Sequence, residues 1–507
     1  MANELDLDGV SRRRFLIGSS AFAIGAGLGP RVAFARAPER TRQPSDAAWR
    51  ALAGRISGPL LRAKDFDLKE FAHPVNLRYA GDMPDGIALC RSPEDVAAAI
   101  TWCNENRFPL VIQSGGHSYA GFSMRKGGLM INLRLMDAIK VENGSVTVAG
   151  GVLNQRLYAV LRQNDAAITH GRCLTVGAAG FVLGGGIGFN MRTHGLACDQ
   201  LTAGEIVTAD GRIRTIGPQA GGIEGDLFWA CRGAGGGNFG VSTSFTLDTF
   251  PAEPATVFLF FWPAETRGTD RVALALLEDL EKAPLDLGLG TRLSLQAPKP
   301  KDRLRGAGVA ISLMGQLKGA PLALDQVLAR AYAIARPHHA MVWGNAPYWA
   351  AQAMLEEGYG SGYFQERSTF AAPGQAAKAA AQTFHRLLEW PGTSGGADLR
   401  FFQTGGRIND VDAKATAFVH RNSAWIMDVG LTWGGNDPAH VVAQSRAWQD
   451  QFYAALRPSS TGGAYVNFPD PSLADWRRAY YGENLERLEE IKKKVDPERL
   501  FDFPQAI

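Results

Sequence analysis

Ile112-Gln113-Ser114-Gly115-Gly116-His117-Ser118 continues a short apolar run, Pro109-Leu110-Val111-Ile112, and turns on a glycine pair. A second glycine-rich stretch answers it: Gly171-Arg172-Cys173-Leu174-Thr175-Val176-Gly177-Ala178-Ala179-Gly180. A short apolar run opened by proline reads as a buried strand, so a strand delivers the chain directly into the first loop. Glycine has no Cβ, and backbone N–H groups in such loops can approach a diphosphate closely. His117 and Cys173 add one nucleophile to each loop. Two loops of this kind around one cofactor would tether it twice.

The surroundings read as mixed α and β structure. Ser92-Pro93-Glu94-Asp95 supplies an N-cap, a proline at the first helical position and acids in the first turn, which predicts a helix from Pro93. Strands are expected at Leu129–Asn132, Ile139–Glu142 and Ser145–Ala149, the last two joined by Asn143-Gly144, a strong hairpin signal. A helix from about Leu153 to Gln163 precedes the Cys173 loop. Glu205–Ala209 and Arg212–Ile216 form a second hairpin around Asp210-Gly211, while residues 50–73 read as a helical lead-in. Beyond Pro254 the chain reads as an antiparallel sheet with helices on one face. Strands are expected at Val257–Trp262, Arg292–Gln296, Gly308–Met314, Phe401–Thr404, Thr416–His420 and Trp425–Trp433, and helices at Val272–Lys282, Pro321–Ala335 and Val441–Leu456.

Gly184-Gly185-Gly186-Ile187-Gly188 invites comparison with a dinucleotide-binding fingerprint, which needs a preceding strand, a following helix and an acid about 20 residues on. Here the loop is entered from the Cys173 turn and the spacing is wrong. Separate loops from residues 113–118, 177–188 and 233–240 around one extended cofactor fit the glycines better.

With 507 residues, 46% hydrophobic and 20% charged, the chain can bury more than one core, so two domains are expected. A net charge of +3, without basic clusters interleaved with aromatics, sets nucleic acid aside and favours a small-molecule partner. Ser11-Arg12-Arg13-Arg14-Phe15-Leu16 has the twin-arginine form and is followed by an apolar run to Leu28 and by Ala33-Phe34-Ala35, a small-x-small cleavage site. The run falls short of the roughly 20 apolar residues that span a bilayer. Residues 1–35 therefore read as an export signal rather than a stable membrane anchor, which makes the twin-arginine machinery a partner and the periplasm or the exterior the destination. That route carries folded proteins, as a cofactor attached before transport requires. Cys90, Cys103, Cys173, Cys198 and Cys231 are odd in number and match no zinc spacing, so no metal is expected. Cys103 and Cys231 read as core, and Cys173 in its glycine-rich loop is the thiol left for chemistry.

On Gly115-Gly116-His117, on Gly-x-Cys-x-x-Val-Gly-x-x-Gly from Gly171, and on a C-terminal set (Tyr465-Val466-Asn467-Phe468, Tyr480-Tyr481-Gly482-Glu483-Asn484, Arg487-Leu488 and Asp496-Pro497-Glu498-Arg499-Leu500-Phe501), the chain resembles the berberine-bridge-enzyme-like family of FAD-linked oxidases, within the p-cresol methylhydroxylase and vanillyl-alcohol oxidase superfamily. The resemblance runs from about Asn76 to the C-terminus, strong in the flavin half and weak in the middle. It implies an α+β fold: a PCMH-type FAD-binding domain of two α/β subdomains (36–254), a substrate domain whose antiparallel sheet is covered by helices (255–455), and a segment (456–507) that returns to the flavin domain. It also implies that His117 bonds the flavin 8α-methyl carbon and Cys173 bonds C6. Ser114, Gly115, Gly116 and Ser118 would cradle FAD from the first loop. Gly177, Gly180, Gly184, Gly185, Gly186 and Gly188 would do so from the second. Val207, Gly236, Gly237 and Asn238 would add to the cradle, with Tyr465 and Asn467 from the tail. Two such bonds fix the ring and raise its potential as a hydride acceptor. Val176 stands where the family gates oxygen, which implies O2 as acceptor and hydrogen peroxide as product. The substrate implied is an alcohol-type carbon of a small molecule, by family frequency an oligosaccharide.

The chain also departs from that family. Leu174 stands where proline is frequent, and Phe181 where plant-type members carry a histidine. Phe468 stands where a Tyr-x-Asn-Tyr motif ends in the tyrosine that takes the substrate proton, and a phenyl ring cannot accept one. Asp428, an acid in the apolar strand Trp425–Trp433, shares a sheet face with Ile426 and Gly430. In the family this sheet covers the flavin's substrate face, which makes Asp428 the candidate base, with a raised pKa; the other reading is a salt-bridged structural acid. Tyr465 joins it as a candidate catalytic residue, and Arg407, His420, Tyr363 and Gln403 as candidates for substrate contact. A dehydrogenase with a different acceptor, or a flavin-bearing binding protein without turnover, stays open.

Overall fold

Two small sheets carry the glycine loops. The computed structural model describes residues 43–65, 67–358 and 360–507, so the stretch expected to be an export signal lies outside the described residues. In the first sheet Leu60–Arg62 runs antiparallel to Gly86–Leu89, which pairs in parallel with Leu129–Asn132 and that in turn with Leu110–Gln113. Parallel neighbours need a crossover. The helix Pro93–Glu105 is the crossover from Gly86–Leu89 to Leu110–Gln113, the two strands that flank Leu129–Asn132, and it is opened by Ser92, whose hydroxyl accepts from the Asp95 N–H as the sequence predicts. Leu110–Gln113 then ends where Ser114 begins the first loop. The lead-in expected to be helical over residues 50–73 is so only in part: Asp46–Arg55 and Leu68–Phe71 are helical, and the edge strand Leu60–Arg62 lies between them.

The second sheet is antiparallel, in the order Ile139–Glu142, Ser145–Ala149, Val241–Asp248, Leu201–Val207, Ile213–Ile216. Its first hairpin turns at Asn143 and Gly144, both with positive φ (51° and 76°), the geometry of a two-residue turn matched to strand twist. The helix Asn154–Gln163 buries Leu157, Tyr158 and Leu161 at helical spacing and leads toward the Cys173 loop.

The third sheet has seven antiparallel strands in the order His339–Ala346, Ala255–Trp262, Ala310–Leu317, Gly290–Gln296, Ala397–Gln403, Trp425–Trp433, Tyr363–Ala371. Alternation gives it two different faces. Leu293, Phe401, Met427 and Val429 point into a core closed by the helices Thr269–Lys282, Pro321–Ile334, Ala376–Thr383 and Ala439–Leu456, each such side chain worth about 1.5–3 kcal/mol of burial. The opposite parity carries Arg400, Asp428 and Ser368 side by side, with Phe402, Ile426 and Phe370 packed into the core of the second sheet. Thr416–His420, expected as a strand, is none. Its backbone instead donates from Ala417 to the Trp229 carbonyl and from Phe418 to that of Arg232, next to the glycine knot.

The tail closes over the glycine loops. Tyr465, Tyr480, Tyr481, Leu488, Ile491 and Ile507 join the core of the second sheet. Asn238, in the knot from Gly233 to Gly240, accepts from the buried Lys492 ammonium at its carbonyl (2.6 Å) and from the Ile507 N–H at Oδ1 (3.0 Å).

Candidate active site

The first and second loops touch backbone to backbone. A Cβ at Gly115 would lie 2.3 Å from the Gly177 nitrogen, and one at Gly177 would lie 2.3 Å from Ser114 Oγ. Any side chain at either position would push the loops apart. Gly116, at φ +73°, makes the turn that presents His117. Around this junction lies a cavity of about 340 Å³, walled by both loops, the glycine knot, the tail and the seven-stranded sheet.

His117 and Cys173 both line it. His117 Nε2 sits 2.9 Å from Thr175 Oγ1, so the second loop orients the ring of the first and leaves Nδ1 for other chemistry. Burial, helped by the charge of Arg134, pushes the imidazole pKa down to about 4, which keeps the ring neutral and nucleophilic at pH 7. Cys173 is held by its backbone: Asn154 Nδ2 donates to its carbonyl at 3.1 Å, and the Asn154 N–H donates to the Val176 carbonyl at 2.9 Å. Burial raises the thiol pKa, opposed by Arg172, Arg292 and Arg400.

Ser114, Gly115, Gly116 and Ser118, then Val176, Gly177, Gly180 and Gly188, and finally Gly236, Gly237, Asn238, Tyr465 and Asn467, line the same cavity. A Cβ on Gly180 would meet nothing within 4 Å, so the wall there is bare backbone facing open space. Two nucleophiles, glycine backbone and largely apolar walls fit an extended, partly planar cofactor such as FAD. Among the described residues no cluster could hold a metal ion, and no helix is long and apolar enough to cross a membrane.

Four members of the expected cradle lie elsewhere. Gly184, Gly185 and Gly186 follow the helix Ala178–Leu183 rather than a strand, and serve packing: added Cβ atoms would strike Asn467, Phe418 and Ala197, at 2.0, 3.2 and 2.6 Å. Val207 is fully buried in the core beneath the first sheet. The four candidates for substrate contact do not line the cavity either. Arg407 is exposed beside Asp410, His420 stacks on Phe370, Tyr363 stacks on Trp433, and Gln403 bonds Thr291 and the Leu280 carbonyl.

Asp428 has the expected strand phase but is set back from the cavity wall. Its cross-strand neighbour Arg400 lines the cavity; Asp428 is fully buried, 2.9 Å from Arg400 Nη2. Arg400 also pairs with Glu366 and, at 3.3 Å, with Asp398. Burial raises the pKa of both Asp428 and Glu366, against the pull of Arg400, and each is raised further by a neighbouring acid. One guanidinium thus faces three carboxyl groups, and such a cluster can hold a proton.

Behind the Cys173 loop, His170 donates from Nδ1 to the Gly171 carbonyl and accepts at Nε2 from Tyr348 (2.8 Å). Burial holds its pKa at about 4, and that of His420 likewise. Both pKa values lie below the unfolded 6.5, so the unfolded chain binds more protons between pH 6.5 and 4, and stability falls as pH falls through that window. The loss should reach about 3 kcal/mol per histidine near pH 4. Urea unfolding between pH 7 and 4 checks this, and His170→Gln should flatten the dependence.

Known proteins fit this geometry. Residues 84–217 match the FAD binding domain family, and residues 464–507 match the family described as berberine and berberine like. The FAD-linked oxidoreductase YgaK of Bacillus subtilis is 30% identical over 463 residues, covering 89% of this chain and 97% of that one. The chain belongs to the berberine-bridge-enzyme-like family. It is thereby an FAD-linked oxidoreductase of the PCMH-type fold. Glucooligosaccharide oxidase of Sarocladium strictum is 28% identical over 449 residues, covering 84% of this chain and 87% of that one. Among solved structures, BBE-like 1 of Physcomitrella patens superposes with TM-score 0.79 at 24% identity, covering 91% of this chain and 98% of that one. Glucooligosaccharide oxidase from Acremonium strictum, described with a 6-S-cysteinyl, 8α-N1-histidyl FAD, gives 0.78 at 24%, covering 91% and 100%.

Sequence reasoning missed Tyr119, Arg172, Glu357 and Arg400, all on the cavity wall. Tyr119 had a signal, two residues beyond His117. Its ring stacks on Phe468 at 5.2 Å and 15°, and burial raises its hydroxyl pKa. Arg400 could be found only by knowing which strand lies beside Trp425–Trp433.

Proposed function

We propose that this protein is an exported oxidase whose FAD is bonded through His117 and Cys173, taking hydride from an alcohol-type carbon of a small molecule, an oligosaccharide first among candidates, and passing the electrons to O2. The observation that carries the reading is the convergence of His117 and Cys173, 56 positions apart in sequence, on one glycine-walled cavity. His117, with Nε2 engaged by Thr175, offers Nδ1, the atom named in the histidyl link of glucooligosaccharide oxidase. The oxidases acting on glucooligosaccharides, carbohydrates and xylooligosaccharides among the sequence relatives support the substrate class.

FAD, once bound, supplies the two-electron acceptor. The chain's own residues do the rest. Residues 36–254 hold the cofactor, 255–455 contribute the substrate face, and 456–507 close the cradle. Arg400 and Tyr119 meet the substrate at the wall, Tyr465 and Asn467 brace the second loop, and the Asp428–Glu366 pair behind Arg400, neither member of which lines the cavity, accepts the hydroxyl proton at one remove. Residues 1–35 are the twin-arginine signal, removed on export to the periplasm or beyond.

Anaerobic mixing with a panel of oligosaccharides, simple alcohols and phenolic alcohols tests the reading. At least one sugar should bleach the flavin, and air should restore it with one H2O2 per turnover. Bleaching restored only by artificial dyes would make the protein a dehydrogenase instead. Val176 lines the cavity beside Cys173. Val176→Leu should slow reoxidation by air several-fold and leave flavin reduction by substrate nearly unchanged; stopped-flow traces of the two half-reactions decide.

A further inference from the structure

Glu357 arrives at the second loop from the segment that precedes the edge strand Tyr363–Ala371, and it pairs there residue to residue. Cys173 and Glu357 form an isolated parallel bridge, and the Glu357 N–H donates to the Arg172 carbonyl at 3.3 Å. The side chains meet as well: Cys173 Sγ lies 3.9 Å from Glu357 Oε2, within reach of a thiol hydrogen bond. Oε2 also lies 3.3 Å from Arg172 Nη2, and Arg292 binds Oε1. Both Glu357 and Cys173 open onto the cavity. The sulfur must lose its proton to bond carbon, and Glu357 is a carboxylate within its hydrogen-bond reach.

We propose that Glu357 accepts the thiol proton of Cys173 as the sulfur bonds flavin C6, so that the chain carries its own base for that attachment. The inference rests on the two-tether reading. In the step the S–H and C6–H bonds break and the S–C6 bond forms. One proton goes to Glu357 and on to solvent, the other directly to solvent; the two electrons leave through the flavin to O2, which takes two protons and becomes H2O2.

Charge bookkeeping favours this pairing. A thiolate formed in a buried loop without compensation is costly. Here the negative charge only moves from carboxylate to sulfur, opposite the guanidinium groups of Arg172, Arg292 and Arg400, whose charges all act on the thiol. The net charge of the cluster does not change in that transfer. Tyr119 and Tyr158 also sense the sulfur, but burial raises both hydroxyls, so neither can take the proton at neutral pH. Cys173 is the one of the five cysteines that lines the cavity; Cys198 Sγ also has a carboxylate, Asp199 Oδ1 at 3.8 Å, but is fully buried away from it.

The test uses the full-length chain with His117→Ala, so that all acid-precipitable flavin reports on Cys173. Incubated aerobically with FAD, this variant should fix flavin, and adding Glu357→Gln should slow fixation at least tenfold at pH 7. The deficit should shrink as pH rises and hydroxide replaces the missing base, and Glu357→Asp should restore part of the rate. Quenching of FAD fluorescence on binding shows whether the cradle is intact. Fixation by Glu357→Gln at the parent's rate across pH 6–9 overturns the proposal alone. Absence of fixed flavin with Glu357 in place overturns the cysteinyl link, and this inference with it. Should Glu357→Gln fail to bind FAD, Glu357→Asp decides: a slowed rate that recovers with pH supports the proposal, and a pH-independent loss overturns it.

Discussion

His117→Ala combined with Cys173→Ala should release all of the flavin: acid-precipitated double variant should be colourless, with its FAD in the supernatant, while the parent pellet stays yellow. Each single variant should also give a yellow pellet, because the two nucleophiles sit on different loops and each reaches the same cavity. The single variants separate the two bonds. Loss of either removes one electron-withdrawing attachment, so the flavin potential should fall in both, and proteolysis should give one flavinylated peptide in place of two peptides joined through the flavin. His117→Ala removes the imidazole's bond to Thr175 but should leave the Cys173 loop in place, since Asn154 still binds its Cys173 and Val176 carbonyls. Recovery of free FAD from the parent would overturn the two-tether reading outright.

What the sequence discloses here follows from what physically constrains it. Ile139–Glu142 and Ser145–Ala149 are read to the residue because the turn between them demands two left-handed residues and Asn-Gly is the cheapest pair to supply them. The loops at Gly115 and Gly177 are legible because their backbones lie too close for any Cβ. Tyr363–Ala371 escapes notice because Glu366 and Arg367 look like surface residues. Both are buried: Glu366 pairs with Arg400, and Arg367 with Asp450 and Asp470. His339–Ala346 is an exposed edge strand whose composition shows no alternation to mark it. Thr416–His420 misleads in the other direction, since Ala417 and Phe418 are buried but their N–H groups bond the Trp229 and Arg232 carbonyls, at a helix end and just before the glycine knot, instead of a strand. For the site, each loop announces its own nucleophile. The charged cluster does not, because Glu366, Arg400 and Asp428 come from three strands whose adjacency is a property of sheet order alone.

Asp428→Asn should lower the rate of flavin reduction by substrate at least tenfold, within the roughly 10²- to 10⁴-fold range that loss of a general base costs. Phe468 cannot take the proton, and among the charged groups on this face of the sheet the acids beside Arg400 are the ones whose affinity for a proton burial has raised. The sign of the pH dependence follows from that shift. The reactive form is the one with a carboxylate free to accept, so the parent's rate should fall as pH drops through the raised pKa of the pair. In Asp428→Asn one of the two carboxyl groups is gone, the remaining Glu366 keeps its ion pair with Arg400, and the acidic limb should flatten. Flavin attachment should stay complete, since neither His117 nor Cys173 is bonded to Asp428. Glu366→Gln separates the roles of the two acids: if the pair acts as a unit, it should lower the rate comparably and the double variant should be little worse than either single one. Stopped-flow reduction of Asp428→Asn at the parent's rate would leave Asp428 as the counter-ion of Arg400, and the same result for Glu366→Gln and the double variant would show that the substrate proton needs neither acid.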